Sequence, residues 1–116
     1  MTHDPDCIFC KIAAGQIPSR KVHEDDELFA FHDIRPAAPV HLLVIPKVHV
    51  ASLADCGPAH EGLLGKMLAL VPRLARDQGC DNGFKTVINT GRDGGQEVYH
   101  LHVHVLGGPR PWSRVA

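Results

Sequence analysis

Apolar and polar positions alternate with a period of two near the end of the chain. In VYHLHVHVL, residues 98–106, every second position from His100 to His104 is a histidine. Successive side chains of a strand point to opposite faces, so the pattern predicts a strand with its imidazoles on one face and its apolar side chains on the core face. The apolar set is Tyr99, Leu101, Val103 and Val105. Three histidines in register favour a functional site over a plain solvated face.

The other elements follow from shorter patterns. The stretch CIFCKIAAGQIP, residues 7–18, has apolar residues at helical spacing before Gly15 and Pro18, which predicts a short helix. The stretch KVHEDDELFAFHDI, residues 21–34, predicts a hairpin around an acidic turn. The near-continuous apolar run in HLLVIPKVHV, residues 41–50, predicts a central strand that ends near Pro46.

One long helix is predicted between Pro58 and Gly79. It carries an apolar stripe at helical spacing, formed by Leu63, Leu64, Met67, Leu68, Val71 and Leu74. Because a proline removes a backbone donor and clashes with the preceding turn, Pro72 predicts a kink or a break near residue 68. FKTVIN, residues 84–89, predicts another strand, joined to the last one by a glycine-rich turn. The order of elements is that of an α+β protein.

Length and charge limit the function classes. The 116 residues fit one domain, with a loose leader at 1–6 and a tail at 107–116. The 12 Lys and Arg against 13 Asp and Glu give no basic stripe, which argues against a nucleic-acid partner. No apolar run reaches the roughly 20 residues of a membrane span, and the N-terminus is acidic, unlike a signal peptide. We therefore expect a cytoplasmic protein without a membrane partner.

The histidine row suggests metal or phosphate chemistry. Strand residues i and i+2 lie about 7 Å apart and can share an ion, whereas i and i+4, about 13 Å apart, cannot readily do so. At least one imidazole must then serve another purpose. The neighbouring DGGQ, residues 93–96, can offer backbone amides to an anion, so one histidine could attack phosphorus while another donates to the phosphoryl oxygens. The CIFC pair is, on spacing alone, as compatible with a buried pair as with a metal site.

The motifs CIFCKI, AFHDIRPAAPVHLLVIPKVH, VINTGRDGGQEVYH and LHVHVLGG resemble the Hint branch of the histidine-triad (HIT) superfamily over nearly the whole chain. The resemblance implies a HIT-like α+β fold: a five-stranded antiparallel sheet with a short N-terminal helix and one long helix. Two such subunits would pair into a homodimer with a ten-stranded sheet. Its implied activity is hydrolysis of purine nucleoside phosphoramidates and related adenylates to AMP or GMP.

The resemblance also implies roles for single residues. His102 would be the nucleophile that forms a nucleotidyl-histidine, and His104 would contact the α-phosphate. His100 would be the first triad histidine and His41 the fourth histidine beside the triad. Asp33 would accept hydrogen bonds from the ribose hydroxyls. The implied base pocket consists of Ile34, Phe31, Ile8, Phe9 and Ile17.

Phosphate contacts are implied for Asn89 and for the segment Gly95, Gln96 and Glu97. Glu97 stands where the eukaryotic form has a serine, and this difference leaves the preferred leaving group open. In zinc-containing relatives the metal ligands correspond to Cys7, Cys10, His49 and His100. Two thiolates and two imidazoles would complete a tetrahedral structural site that takes no part in the phosphorus chemistry.

Three alternatives to the phosphoramidate hydrolase are open. The chain could be a nucleotide-binding regulatory or scaffold dimer with vestigial turnover. It could also resemble the dinucleoside polyphosphate hydrolases, or the transferases, although the latter have a glutamine where this chain has His104. Trp112 could rest against a dimer partner or belong to a disordered end, and Cys56 and Cys80 are expected to be small buried residues.

Overall fold

The fold is a five-stranded antiparallel sheet with a short and a long α-helix, in a computed structural model that describes residues 3–112. The predicted α+β class is confirmed. The elements in chain order are α1 (Ile8–Ala13), β1 (Lys21–Glu24), β2 (Leu28–His32), β3 (Val40–Pro46), α2 (Glu61–Asp77), β4 (Phe84–Val87) and β5 (Val103–Gly107). The strands are arranged in the order β1-β2-β3-β5-β4.

The acidic turn of the predicted hairpin is held by one side chain. Asp25 Oδ1 accepts the backbone N–H groups of Glu27 and Leu28, each at 2.8 Å, and so reverses the chain between β1 and β2. The predicted end of the central strand is also confirmed, because β3 stops at Pro46. A proline has no N–H to donate to the ladder, so regular pairing cannot continue through it.

The long helix runs through Pro72 without a break. The predicted break is wrong, and a kink stays a prediction. Pro72 removes only the hydrogen bond to the carbonyl of Leu68, and both residues lie on the exposed side of α2. Water can therefore satisfy that carbonyl. Met67, Val71 and Leu74 form the buried side of the same helix.

The last strand is shorter than its alternating pattern predicts. It begins at Val103 rather than Val98, and Leu101 donates its N–H to the carbonyl of Val50 instead of joining the ladder. The predicted faces hold inside the strand, where Val103 and Val105 are in the core. Before the strand, Leu101 is also in the core at 1 % exposure, but the assignment of Tyr99 to the core is wrong, because Tyr99 is 48 % exposed; His100 and His102 are buried at 0 % and 7 %. An alternating pattern does not show where the backbone leaves the sheet.

Each face of the sheet carries its own hydrophobic cluster. The face toward α2 packs Leu42, Val44, Val103 and Val105 against Met67, Val71 and Leu74. The opposite face packs Phe29, Phe31, Leu43 and Ile45 against Phe9 and Ile12 of α1. Since side chains alternate along β3 and β5, His41 and His104 fall on the face that carries α1.

The described ends of the chain lie next to α1 and β5. The backbone of the predicted leader, as far as it is described, makes a turn on α1, with Asp4 donating its N–H to Cys10 Sγ at 3.4 Å. Gly107, the first residue of the predicted tail, is the last residue of β5. The ten-stranded dimeric sheet stays a prediction and would have to form at the β1 or the β4 edge. Within residues 3–112 no helix is long and apolar enough to cross a membrane.

Candidate active site and metal centre

Two adjacent strands place a pair of histidines in contact. In the antiparallel register of β3 and β5, His41 lies opposite Leu106 and His104 lies opposite Leu43, so the two histidines are diagonal neighbours on one face. Their rings approach to 2.9 Å between His41 Nε2 and His104 Nδ1. The sequence separates them by 63 positions, and only the pairing of the strands brings them together.

The backbone fixes which nitrogen of each ring carries the proton. The N–H of Ala37 donates to His41 Nδ1 at 3.0 Å. A backbone N–H can only donate, so Nδ1 of the neutral ring is the acceptor and Nε2 holds the proton. His41 Nε2–H then donates to His104 Nδ1, which leaves the proton of His104 on its Nε2. His104 is thereby set up as a donor through Nε2.

His102 has the opposite arrangement. Its Nδ1 is 2.7 Å from the main-chain oxygen of His100, and because a carbonyl can only accept, Nδ1 carries the proton. The lone pair of the neutral ring is consequently on Nε2, as a nucleophile requires. The ring packs edge-on against Phe9, with centroids 5.1 Å apart, and against His104 at 5.0 Å.

Burial keeps these three imidazoles neutral at pH 7. It is the main cause that lowers the pKa of His104 to about 4, assisted by His102 and His41 and opposed by the carboxylate of Asp33. It also lowers the pKa of His102 and of His41, and Asp33 again acts in the opposite direction. The site therefore presents one neutral nucleophile beside one neutral donor.

A second cluster lies on the other side of the triad. Cys7, Cys10, His49 and His100 bring one possible ligand atom each to within 4.8 Å of one another. Cys7 caps the N-terminus of α1, which places Cys10 one turn later on the same side. His49 follows β3 and His100 precedes β5. The structure thus brings together all four residues that the resemblance implies as zinc ligands.

The donor set of this cluster fits a tetrahedral metal ion. His100 donates Nε2–H to the carbonyl of Pro46 at 2.8 Å, so its Nδ1 offers a lone pair to the cluster. That Nδ1 lies 3.2 Å from Cys7 Sγ and 3.3 Å from His49 Nδ1, and Cys10 Sγ is 3.5 Å from His49 Nδ1. Zinc bonds of 2.0–2.3 Å at tetrahedral angles require ligand separations of about 3.3–3.8 Å. Such an ion would be held by these residues without rearrangement of the backbone.

Asp33 joins the histidine pair from the end of β2. Its backbone N–H donates to the carbonyl of His41 at 2.9 Å, and its Oδ1 accepts the N–H of Arg35 at 2.7 Å. Its Oδ2 is 3.5 Å from His41 Nε2. Asp33, His41 and His104 also bring one possible metal-ligand atom each to within 4.8 Å of one another. The proton on His41 Nε2, however, occupies the position that a cation would need, so this group is a hydrogen-bonded chain.

The glycine-rich segment forms a closed loop before the triad. Gln96 accepts the N–H of Gly91 and donates to the carbonyls of Ala51 and Val98, at 2.8–3.0 Å. Asn89 donates to the carbonyl of Gly94 at 2.8 Å. Gln96 is thus buried and stabilises the loop, whereas Gly95 and Glu97 are exposed on it. The implied phosphate contacts of this segment stay predictions.

The apolar residues of the implied base pocket separate into two groups. Phe9 and Phe31 are buried in the cluster of the α1 face, with Ile17 packed against it. Ile8 is 47 % exposed and Ile34 is 91 % exposed. Ile34 directly follows Asp33, and at this exposure packing within the described chain does not explain its apolar side chain. A base-binding role for this group stays a prediction.

Sequence reasoning missed the main-chain groups of the site. The carbonyl of Pro46, the N–H of Ala37 and the carbonyl of His100 determine the tautomers of three histidines. No side-chain pattern marks a backbone group, so the only available signal was proximity in sequence to a histidine. Among the other residues considered, Cys80 is buried and Cys56 is half-buried. Trp112 donates to the carbonyl of Gly108 and stacks with Arg110 of its own chain.

Comparison with known proteins identifies related sequences over nearly the whole chain. A family model described as "Scavenger mRNA decapping enzyme C-term binding" matches residues 6–114. Protein HitA of Neisseria gonorrhoeae is 60 % identical over 103 residues, which are 89 % of this chain and 96 % of that protein. The purine nucleoside phosphoramidase of Escherichia coli K12 is 44 % identical over 102 residues, or 87 % and 86 % of the two chains.

Comparison with solved structures also finds histidine-triad proteins. A histidine triad protein from Clostridium difficile superposes with a TM-score of 0.90 at 46 % identity, covering 94 % of this chain and 96 % of that one. A zinc-bound histidine triad family protein from Mycobacterium smegmatis gives a TM-score of 0.76 at 35 % identity, covering 88 % and 74 %. Together with the matched family model, these similarities show that the chain belongs to the histidine-triad superfamily.

Proposed function

We propose that this protein hydrolyses purine nucleoside phosphoramidates and related adenylates at the α-phosphorus. The observation that carries the proposal is the tautomer of His102, whose Nδ1–H is bound to the carbonyl of His100 and whose Nε2 is therefore unprotonated. The similarity to the Escherichia coli purine nucleoside phosphoramidase supports the substrate class. The conclusion is a nucleotide hydrolase that works through a covalent histidine intermediate.

The proposed reaction has two displacements at phosphorus. In the first, His102 Nε2 forms a bond to the α-phosphorus while the bond from phosphorus to the leaving amine breaks, and the amine departs with a proton. In the second, water attacks the same phosphorus, the bond to His102 Nε2 breaks, and the nucleoside monophosphate is released. His104 Nε2–H would donate to a phosphoryl oxygen, where negative charge accumulates.

The nucleophile can be tested with two variants. Adenosine 5′-phosphoramidate is incubated with the wild type, His102→Ala and His102→Asn, and AMP release is measured. Both variants should lose activity by about a thousandfold or more but still bind AMP. His32→Asn is the matched control, because His32 is a half-buried histidine at the end of β2 without a hydrogen bond to the triad.

Other results of this assay would favour a different function. A wild type that binds AMP but releases none from the phosphoramidate would contradict the proposal and favour a nucleotide-binding regulatory dimer. Glu97→Ser would then be the first variant to assay, since Glu97 departs from the serine of the eukaryotic form. Activity on a dinucleoside polyphosphate in place of the phosphoramidate would favour the sibling hydrolases.

We also propose that the second cluster holds a structural zinc ion through Cys7, Cys10, His49 and His100. The near-tetrahedral separations of the donor atoms support this, as does the zinc-bound relative. When bound, zinc would link α1 to the segment that carries the triad. Elemental analysis of protein purified without chelator should find about one zinc per chain, and less than about a tenth of an equivalent would count against the site.

A further inference from the structure

One peptide unit connects the proposed nucleophile to the chain that follows β3. Its carbonyl, that of His100, accepts Nδ1–H of His102 at 2.7 Å. Its N–H, that of Leu101, donates to the carbonyl of Val50, also at 2.7 Å. Because a trans peptide unit is planar and its N–H and C=O point in opposite directions, the bond to Val50 sets the direction of the His100 carbonyl. The same bond therefore decides which ring nitrogen of His102 carries the proton.

The strand ladder does not hold this peptide unit, because residues 98–102 precede β5. Gln96 provides another connection. Its side-chain Nε2 donates to the carbonyl of Ala51, the neighbour of Val50, at 2.8 Å and to the carbonyl of Val98 at 3.0 Å. The amide of Gln96 thus joins the chain after β3 to the segment that leads into the triad.

The side-chain amide of Gln96 has both of its N–H hydrogens engaged within the chain. Its Oε1 accepts the N–H of Gly91 at 2.9 Å, and its Nε2 donates to the two carbonyls. Because a backbone N–H can only donate and a carbonyl can only accept, these partners also fix which end of the amide is the oxygen. Gln96 is 7 % exposed, so turning the amide toward a phosphate would leave a buried carbonyl unsatisfied.

We propose that Gln96 is a positioning residue for the nucleophile and that its side chain is not a phosphate ligand. By holding the two chain segments together, it keeps the His100–Leu101 peptide unit aimed at His102, so that Nε2 of that ring keeps its lone pair. The inference rests on the proposed function, because this Nε2 is the atom proposed to attack phosphorus. Gln96 itself neither gains nor loses a proton, and its side chain forms no bond to the substrate.

The substitution Gln96→Met separates positioning from phosphate binding. Methionine has nearly the volume of glutamine but makes none of the three hydrogen bonds, so the peptide unit loses its support. On adenosine 5′-phosphoramidate, kcat should fall about tenfold or more, while KM and the Kd for AMP change by less than about threefold. Loss of a phosphate ligand would instead weaken AMP binding.

The tautomer of His102 is the direct readout of the proposed role. In nitrogen NMR spectra of protein with isotopically labelled histidine, a ring nitrogen that carries a proton is well separated from one with a lone pair. The wild type should show a protonated Nδ1 and an unprotonated Nε2 for His102. In Gln96→Met, part of the population should carry the proton on Nε2 instead.

Ser52→Ala is the matched control, because Ser52 is also a buried polar residue and lies next to Ala51. It is 5 % exposed, and its hydroxyl donates to Asp55 and accepts the N–H of Ala54 in its own turn. The substitution therefore removes two hydrogen bonds from the same stretch of chain. It should leave both kcat and the tautomer of His102 at their wild-type values.

Two results would overturn the inference. The first is a wild-type tautomer of His102 in Gln96→Met, whatever the kcat of that variant. The second needs no variant: couplings across the hydrogen bonds, from Gln96 Nε2 to the carbonyl carbons of Ala51 and Val98, should persist in the wild type when AMP binds. Their loss on addition of AMP would make Gln96 a phosphate ligand.

These measurements also separate the inference from the proposed function. If the wild type released no AMP from the phosphoramidate, the proposed function would fail, while the tautomer of His102 and the couplings of Gln96 would still decide the positioning role. If Gln96→Met did not fold, the couplings in the wild type alone would decide it.

Discussion

The two histidine clusters differ in what lies between their ring nitrogens. In the pair formed by His41 and His104, a proton sits between Nε2 of one ring and Nδ1 of the other. Between His49 and His100, two Nδ1 atoms face each other at 3.3 Å, and the proton of His100 is turned away toward Pro46. The first arrangement is suited to proton chemistry, whereas the second leaves the lone pair of His100 Nδ1 for a cation. The difference is set by the backbone group that binds the other ring nitrogen: the N–H of Ala37 at His41 and the carbonyl of Pro46 at His100.

The largest expected effect comes from removing a thiol of the metal cluster. Cys10→Ser should abolish zinc binding and lower the thermal midpoint by about 10 °C or more, because binding energy of a structural metal is folding energy. Metal content and unfolding are measured on the same preparation. Cys56→Ser is the matched control: Cys56 is half-buried, lies outside the cluster and donates to the carbonyl of Ser52, which a serine can also do. A full equivalent of zinc in Cys10→Ser would mean that the cluster is not the metal centre.

A smaller effect, on kcat rather than on stability, is expected from the pair formed by His41 and His104. His41→Ala removes the donor that fixes the tautomer of His104, so kcat for AMP release should fall by about 10- to 100-fold while zinc content stays at the wild-type level. His32→Ala serves as the control for loss of a half-buried imidazole. Loss of zinc from His41→Ala would contradict the separate roles of the two clusters. An unchanged kcat would contradict them as well.

Regular elements were predictable from the sequence, but their ends were predictable only where a residue such as Pro46 marks them. The hairpin, the central strand and the long helix follow from local patterns of apolar residues. Residues 98–102 continue the same alternation as β5, yet Leu101 bonds to Val50, a partner about fifty positions away. A local pattern contains no information about such a partner. The same limit explains why the burial of His100 was not foreseen from its strand face.

Several side chains of the candidate site were predictable from the sequence, but the backbone groups that set their tautomers were not. The resemblance supplied Cys7, Cys10, His49 and His100, and the structure brings all four together. The tautomers that separate a nucleophile from a donor depend on the carbonyl of His100 and on the N–H of Ala37. Backbone groups of this kind are present at every residue, so only their positions in space reveal their roles.

The contact between Cys7 Sγ and His100 Nδ1 joins residues 93 positions apart. On the ribosome the thiols of Cys7 and Cys10 emerge well before their imidazole partner at His100, which follows Cys7 by 93 positions. The six residues of α1 are too few to hold a helix in isolation, so this segment can settle only after β2 and β3, which carry its apolar partners, have been made. Because His100 is a ligand of the proposed zinc site, the ion would be captured only after this residue has been made, and the carbonyl of His100 that orients His102 comes with it.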